Sequence, residues 1–164
     1  MLRARSRSTE NALALLRMNA QPAVRAATGR DAPAIRALLE ACALPTTDLM
    51  TARPEFMVAW DGPVLAGVGG VQRFGGVGLL RSVAVPADRR RSGLGFALVR
   101  AVEQQARESG ISQLVLLTQT AQPFFERQGY RVIERASAPE SIQASDEFRS
   151  LCPQSAACMS KNFK

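Results

Sequence analysis

The stretch that most constrains the fold is Leu80–Val102, which reads LRSVAVPADRRRSGLGFALVRAV. An apolar run with strand character leads into a proline, a cluster of arginines, two glycines two positions apart, and an amphipathic helical pattern. Strand–turn–helix units of this kind present unpaired backbone N–H groups and the positive end of the helix dipole to an anion. We therefore expect an anion-binding turn here, with the rest of the chain forming scaffold and substrate wall around it.

Composition narrows the ligand that such a turn could hold. The chain has 164 residues, 46% of them hydrophobic and 21% charged, which suits one soluble domain with a substantial core. The formal net charge is +7, but residues 1–17 alone carry +3, so the remainder carries only +4. Aromatic residues make up 5%, and no long basic stripe is present. No apolar run approaches the ~18 residues of a membrane span. We predict a phosphate-rich ligand, with neither nucleic acid nor membrane as a partner.

The cysteine and histidine counts narrow the chemistry. The chain has no histidine, which removes histidine-based metal sites and histidine general bases. Its three cysteines, Cys42, Cys152 and Cys158, lack CxxC spacing, and no secretory signal is apparent. We predict free thiols in a cytoplasmic protein without a metal. Metalloid binding by the cysteines is the alternative.

The predicted organisation is an N-terminal extension followed by one domain. Residues 1–21 are interpreted as a flexible leader or short helix, with a targeting segment as the alternative, and residues 22–164 as the domain. Periodicity and turn residues predict strands over 23–27, 56–60, 64–73, 77–85, 114–118, 130–134 and 156–163, the last at an edge. They predict helices over 31–42, 91–108, 123–128 and 138–144, and a single turn at 46–49. This order favours a mixed α/β sheet, in which the central strand–helix–strand unit forms a parallel pair.

Glycines crowd one of these strands. Gly67, Gly69 and Gly70 lie within the segment 64–73, where each removes a side chain from the sheet surface. Such density predicts close approach of another part of the chain or of a ligand.

Three blocks resemble one known family. Arg90–Gly95 has the form Arg-x-x-Gly-x-Gly, but it lacks both the Gly-Lys-Ser/Thr of a P-loop and the full dinucleotide fingerprint. It resembles the pyrophosphate-binding motif of the GNAT superfamily of acyl-CoA-dependent N-acetyltransferases. Leu80–Pro86 is similar to the splayed fourth strand of that superfamily. Leu114–Thr118, followed by Ala121 and Phe124–Tyr130, resembles its "Asn-x-x-Ala-x-x-x-Tyr-Glu-Lys-x-Gly-Phe" block.

With three blocks in the right order, residues 22–163 are identified as a member of the superfamily. The resemblance implies a mixed sheet of six or seven strands flanked by about four helices, acetyl-CoA as cosubstrate, and no metal. It also allows a homodimer. A finer resemblance, through residues 35–39, 79–85 and 147–156, is to the bacterial arsenic-resistance N-acetyltransferases. Related enzymes acetylate amino-acid toxins such as phosphinothricin and its arsenic analogue.

The coenzyme A site follows from the motif and the resemblance together. Backbone N–H groups are expected to cradle the pyrophosphate, from Arg91, Ser92, Gly93, Leu94 and Gly95. Arg90 would add a charge-assisted contact, and Arg89 or Arg91 would meet the ribose phosphate. The resemblance further implies that the pantetheine arm lies along the backbone of Val83, Ala84 and Val85, beside Thr118 and Phe124. The N–H of Val83 would then stabilise the oxyanion.

The usual acid and base of the superfamily are absent from their positions. Phe125 replaces the tyrosine that commonly acts as general acid, and the sole tyrosine, Tyr130, is expected to pack in the core. Arg81 and Ser82 replace a frequent carboxylate of the fourth strand. Asp48 and Glu55 are the remaining candidate bases, and neither is preferred.

The acceptor is expected to be a small, anionic, amino-acid-like amine. Arg81 and Arg73 are the candidates for reading its acidic group bidentately. Ser82, Thr46 and Thr47 complete the predicted acceptor site. The predicted function is direct transfer of acetyl from acetyl-CoA to the primary amine in a ternary complex. The alternatives are a CoA-binding sensor without turnover, or transfer to another amine, such as an antibiotic, a polyamine or a protein.

Overall fold

The computed structural model describes residues 21–164, together with positions 9, 11, 12 and 15. The predicted extension, residues 1–21, therefore lies almost wholly outside the described residues, and its boundary stays a prediction. No described helix is both long and apolar enough to cross a membrane. The same part of the chain contains no group of three or more metal-ligating side chains placed to hold an ion.

Seven strands form one mixed sheet, which confirms the predicted fold class. They are β1 (Val24–Ala26), β2 (Glu55–Asp61), β3 (Val64–Phe74), β4 (Val77–Ala84), β5 (Gln113–Thr118), β6 (Arg131–Ile133) and β7 (Ala157–Asn162). The spatial order is β1-β2-β3-β4-β5-β7-β6, and only the β4–β5 pair is parallel. The prediction of a C-terminal edge strand was wrong, because β7 pairs with β5 on one side and with β6 on the other.

Between residues 21 and 164, five α-helical segments accompany the sheet. They are α1 (Ala32–Ala41), α2 (Leu49–Ala52), α3 (Leu94–Glu108), α4 (Gln122–Glu126) and α5 (Glu140–Gln143). A π-helical turn follows at Glu147–Leu151, which we call the π turn. Its single turn lacks the periodicity that would have predicted it.

The sheet is covered on both faces. The helix α3 packs on one face through Leu94, Leu98 and Val102. On the opposite face, α1 packs over β2–β4, and the segment containing α5 and the π turn packs over β4, β5 and β7. One face of the sheet is therefore covered by the long helix α3. The other face is covered by two separate segments, α1 on one side and the segment with α5 and the π turn on the other.

Close packing of α3 depends on the glycines of β3, as their density predicted. A Cβ built on Gly67 would lie 2.6 Å from Leu98 Cδ1, and one on Gly69 would lie 3.4 Å from Val102 Cγ2. Gly70 faces the other side of the sheet, where its Cβ would meet the Phe56 ring at 2.8 Å. Side chains of α3 and β2 thus fill the space that these glycines leave.

The strands β4 and β5 diverge after a short paired segment. Their parallel ladder runs only from Val77 to Leu79 on β4, after which the remainder of β5 pairs with β7 alone. Beyond this point β4 carries a bulge: Gly70 pairs with Arg81 and Val68 with Ala84, so two residues of β4 oppose one of β3. Ser82 sits in the bulge with φ +57°. The sheet therefore opens into a cleft whose wall is the bulged end of β4.

We predict that Gly67→Ala lowers the free energy of unfolding by about 1–3 kcal/mol, because the added methyl overpacks a fully buried contact with Leu98. Urea denaturation monitored by circular dichroism measures the change. The matched control is Gly76→Ala in the β3–β4 turn, where an added Cβ meets nothing within 4 Å. That variant should stay within about 0.5 kcal/mol of the parent. Equal losses in the two variants would contradict the packing role of Gly67.

Candidate active site

The bulged end of β4 leaves backbone polar groups facing the cleft. Ser82 and Val83 have no paired residue on β3, and β5 has already diverged. The Val85 carbonyl accepts a hydrogen bond from Arg90 Nε at 2.9 Å. Side chains of Val83 and Val85 pack against the α3 face, so only the main chain is offered to the cleft. This geometry suits the role predicted for residues 83–85, namely alignment of an extended ligand.

The turn before α3 has the conformation of an anion cradle. Gly93 is the N-cap of α3 with φ +84°, and no side chain caps the helix. The first N–H that bonds within the helix belongs to Ala97, whose partner is the Gly93 carbonyl at 3.1 Å. In the described chain, the N–H groups of residues 91–94 have no backbone partner, as at any helix start, and that of Leu94 makes only a 3.4 Å contact with Ser92 Oγ. Ser92 Oγ braces the turn by donating to the Arg89 carbonyl at 2.8 Å.

Two neighbours fix the space around this cradle. A Cβ on Gly95 would lie 3.3 Å from the Phe124 ring, so α4 brings Phe124 onto the first turn of α3. The Gln21 amide donates to the Ser92 carbonyl, and its Nε2 lies 2.7 Å from where a Gly93 Cβ would be. A side chain at either glycine would thus intrude into the cradle. The residues fit a pyrophosphate, because close backbone approach is available and cationic side chains flank it.

A basic groove of about 800 Å³ follows the outer side of α3. It is lined mainly by Phe96, Arg100, Arg107 and Arg127, together with Gln128 and the ion pair between Lys161 and Glu103. The Arg100 guanidinium lies 5.6 Å from the centroid of the Phe96 ring, which is 44% exposed. The sequence-based predictions did not include this groove. The i, i+4 pairing of an exposed aromatic with an arginine was the available signal.

A buried ion cluster lies on the other face of the sheet. Arg81 is only 3% exposed, and its guanidinium grips Asp48 bidentately at 2.6 and 2.7 Å. Nη1 also donates to Gln72 Oε1 at 3.3 Å. Since Asp48 precedes α2, this pair ties the loop between α1 and α2 to the floor of β4.

A second carboxylate completes the cluster. Glu147, on the π turn, places Oε2 3.0 Å from Arg81 Nε. Its Oε1 is 3.7 Å from the Cys152 thiol. Burial raises the pKa of Glu147, and the nearby Asp48 adds to that increase while Arg81 opposes it. Burial, reinforced by Glu147, raises the pKa of Cys152 to about 11, so this thiol stays protonated near neutral pH.

The cluster corrects two predicted roles. Arg81 was expected to read an acidic substrate, but Asp48 already occupies its fork. Asp48 was expected to be a candidate free base, but both of its oxygens accept hydrogen bonds from that guanidinium. Sequence reasoning placed both residues in one site correctly, yet it could not show that they neutralise each other.

Two other candidates lie away from the cluster. Arg73 is exposed at the hairpin end of β3, where it bonds the Gly75 carbonyl at 3.2 Å. It pairs with Gly78, about 13 Å of strand from Ser82 at 3.3 Å per residue. Glu55 is exposed at the start of β2, and it accepts a hydrogen bond from Gln105 at 3.1 Å. Neither side chain faces the bulge of β4, which corrects both predictions.

The remaining predicted site residues are Thr46, Thr47, Ser82 and Thr118. Thr46 is buried with its hydroxyl 3.4 Å from Glu40 Oε1, and Thr47 beside it is exposed. Ser82 Oγ lies 3.4 Å from Arg81 Nε, at the edge of the ion cluster. Thr118 Oγ1 accepts the Ala121 N–H at 3.0 Å and so positions the start of α4.

The sequence matches a known protein family and a curated relative. A model of the acetyltransferase (GNAT) family matches residues 25–130, well over half of the chain. The chain belongs to the GNAT family. It is 35% identical over 80 residues to the uncharacterised N-acetyltransferase YjcF of Bacillus subtilis, a match covering 48% of this chain and 57% of the relative. The match thus spans little more than half the length of that curated relative.

Solved GNAT structures agree on the fold. Rv2747 of Mycobacterium tuberculosis, in complex with CoA and a second ligand, aligns with a TM-score of 0.73 and 26% identity over 87% of this chain and 100% of that one. N-acetylglutamate synthase of Neisseria gonorrhoeae, complexed with coenzyme A and L-arginine, aligns with a TM-score of 0.72 and 22% identity over 88% of this chain and 34% of that one. Acetyl-CoA is the cosubstrate of the GNAT family.

The aromatic cluster of this GNAT domain does not supply a general acid. Phe125 is buried, and its ring packs edge-on against Phe124 and Tyr130 at centroid distances of 4.9 and 5.6 Å. Tyr130 is 2% exposed, as expected for a packing residue, and burial raises the pKa of its hydroxyl well above the usual range. A buried hydroxyl with so high a pKa is a poor general acid near neutral pH.

Removing one partner of the Arg81–Asp48 pair is expected to destabilise the fold strongly. We predict that Asp48→Asn lowers the free energy of unfolding by about 3–5 kcal/mol, because the substitution leaves a buried guanidinium without its main counter-charge. Thermal and urea unfolding measure the loss. The matched control is Asp61→Asn, which breaks the exposed pair with Arg89 and should cost at most about 1 kcal/mol. A loss at Asp48 no larger than the control's would refute the structural role.

Proposed function

We propose that this protein is an acetyl-CoA-dependent N-acetyltransferase that acetylates the primary amine of a small, amino-acid-like compound. One observation carries the proposal: the glycine-rich start of α3 lies beside the bulged end of β4, where Arg90 Nε bonds the Val85 carbonyl and β5 has diverged. The first can hold a pyrophosphate and the second an extended pantetheine arm. Family membership gives this pairing its chemical meaning.

The residues of the cleft suggest how coenzyme A is held. The open N–H groups of residues 91–95 would bind the pyrophosphate, with Arg90 beside it. The basic groove along α3 would take the 3′-phosphoadenosine end, because Arg100 and Arg127 line it and Phe96 offers an exposed aromatic face. Phe124, which packs on Gly95, would close the space between the two subsites.

Catalysis would rest on positioning and on the backbone. Acetyl-CoA supplies an activated thioester. The Val83 N–H would donate to the thioester oxygen, which becomes negative as the amine nitrogen attacks the carbonyl carbon. The cleft would hold amine and thioester together, so the reaction gains from proximity within a ternary complex. The carbon–sulfur bond then breaks, and the thiolate departs as an anion.

The acceptor is proposed to be anionic as well as amino-acid-like, of the phosphinothricin or arsinothricin type. Support comes from the resemblance to the arsenic-resistance N-acetyltransferases. The structural neighbour N-acetylglutamate synthase was solved in complex with coenzyme A and N-acetyl-glutamate, so a protein of this fold can bind an acetylated amino acid. The closed fork of Arg81 removes one reason for expecting an acidic group on the acceptor. A polyamine, an antibiotic or a protein amine, like the acceptor of the ribosomal-protein-S18-alanine N-acetyltransferase of Escherichia coli, is the alternative acceptor.

The cradle makes a sharp prediction about coenzyme A. Gly93→Asp should weaken acetyl-CoA binding by at least tenfold, since the new side chain adds negative charge where the pyrophosphate would lie and strains a positive-φ position. Isothermal titration calorimetry measures the affinity.

The matched control for the cradle is Gly62→Asp. It places the same residue at another positive-φ glycine, in the β2–β3 hairpin, with nothing within 4 Å of its Cβ. This variant should bind acetyl-CoA as the parent does. Unchanged binding by the Gly93 variant would remove the pyrophosphate site from the turn.

A release assay tests the function itself. We expect the protein to liberate free thiol from acetyl-CoA when phosphinothricin, L-glutamate or a related amino acid is added, and mass spectrometry should show the acetylated amine. Spermidine, an aminoglycoside and a peptide with a free N-terminus are the comparison amines. Thermal stabilisation by CoA without thiol release from any amine would instead identify a sensor that does not turn over.

A further inference from the structure

One acid of the buried ion cluster keeps hydrogen-bonding capacity. Both oxygens of Asp48 accept hydrogen bonds from Arg81, whereas Oε2 of Glu147 is only ion-paired with Arg81 Nε at 3.0 Å and accepts no hydrogen bond within the described part of the chain. Its other oxygen meets only the Cys152 thiol. The Glu147 side chain is 8% exposed. Buried carboxylates normally satisfy their lone pairs, so this spare capacity needs a functional explanation.

The position of Glu147 relates it to the reacting end of the cleft. Arg81 Nε lies 3.0 Å from the Glu147 carboxylate and 3.4 Å from the Ser82 hydroxyl. Ser82 forms the bulge with φ +57°, and Val83 is the next residue along β4. Arg81 Nε therefore lies between the Glu147 carboxylate and the hydroxyl of the bulge residue. The π turn is what brings Glu147 there, and such turns recur at functional sites.

The charge of the cluster favours a cation as its missing partner. Two carboxylates, Asp48 and Glu147, surround a single guanidinium, which leaves one negative charge when both acids are ionised. A primary ammonium would neutralise that charge and donate to the open Glu147 oxygen. The cluster is thus suited to the amine end of an acceptor and repels its acidic end.

We propose that Glu147 receives the acceptor's ammonium and removes its proton. This inference rests on the proposed function and names the base that the usual positions of the family lack. The Glu147 carboxylate takes one proton from the ammonium, which gives a carboxylic acid and a free amine. The amine nitrogen bonds to the thioester carbon, the carbon–sulfur bond breaks, and the second proton lost by nitrogen passes to the departing thiolate. Glu147 then returns its proton to water.

Burial moves the pKa of the Glu147 carboxyl in the direction that this step requires. An ordinary carboxylate is too weak a base for an ammonium, and a base works best when its pKa lies near the working pH. The pKa of Glu147 is raised by its burial and by the neighbouring Asp48. Arg81 limits the rise and keeps the carboxylate available to accept a proton.

The test is Glu147→Gln in the full chain, assayed with acetyl-CoA and whichever of phosphinothricin or L-glutamate the parent acetylates. We expect kcat/KM to fall by about 10²–10⁴-fold at neutral pH, the range for loss of a general base. The Kd for acetyl-CoA should stay within about twofold. As pH rises towards the pKa of the amine, the variant should recover, because free amine then forms without a base. Glu147→Asp should retain part of the activity.

The matched control is Asp146→Asn, which removes the same charge from an exposed neighbour that makes no capping hydrogen bond. It should leave the pH profile of kcat/KM unchanged. A Glu147→Gln variant with the parent's rate and pH profile would overturn the role of Glu147 while leaving the proposed function intact. No transfer by the parent to any amine would overturn both.

Stability separates this role from a structural one. A carboxyl whose folded-state pKa is raised destabilises the fold as pH climbs from its ordinary value, near 4.3, through the raised value. Glu147→Gln should therefore match or exceed the parent's Tm at neutral pH. A Tm several degrees below the parent's, with activity lost equally at every pH, would show that Glu147 only supports the fold.

Discussion

The ion pairing of the buried Arg81 guanidinium is the interaction on which the sheet face opposite α3 depends. The guanidinium lies on the floor of β4, binds Asp48 from the loop after α1, and faces Glu147 from the π turn. Two separate coverings of the sheet are thus joined through one side chain. Removing one partner of such a pair would leave a bare buried charge, so the loop before α2 and the π turn are both held to β4 through Arg81.

On the opposite face of the sheet, the arrangement depends on how closely α3 packs against β3. Gly67 and Gly69 leave room for Leu98 and Val102, so the helix sits low on β3. Its N-terminus consequently lies beside the bulged end of β4, where β5 has turned away. The anion cradle and the splayed strand are therefore two results of one packing arrangement.

Charge is divided between the two faces. Along α3 the groove is basic, through Arg100, Arg107 and Arg127. The ion cluster across the sheet carries more acid than base, because Asp48 and Glu147 share a single arginine. A polyanionic cosubstrate and a cationic amine would thus approach the bulge of β4 from regions of opposite potential, which favours a productive ternary complex over the reverse arrangement.

By itself, the sequence determined the mixed sheet, the cradle at 90–95 and the close approach at the glycine-rich strand. These follow from local rules: alternation, helical periodicity, and the freedom of glycine where other side chains obstruct. Only the tertiary structure decided which charges face one another. Arg81, Asp48 and Glu147 are far apart in sequence. The sequence alone does not indicate whether a charged residue contacts solvent, substrate or another residue of the chain. The π turn could not be predicted either, since one irregular turn has no period, and it is this turn that brings Glu147 to Arg81.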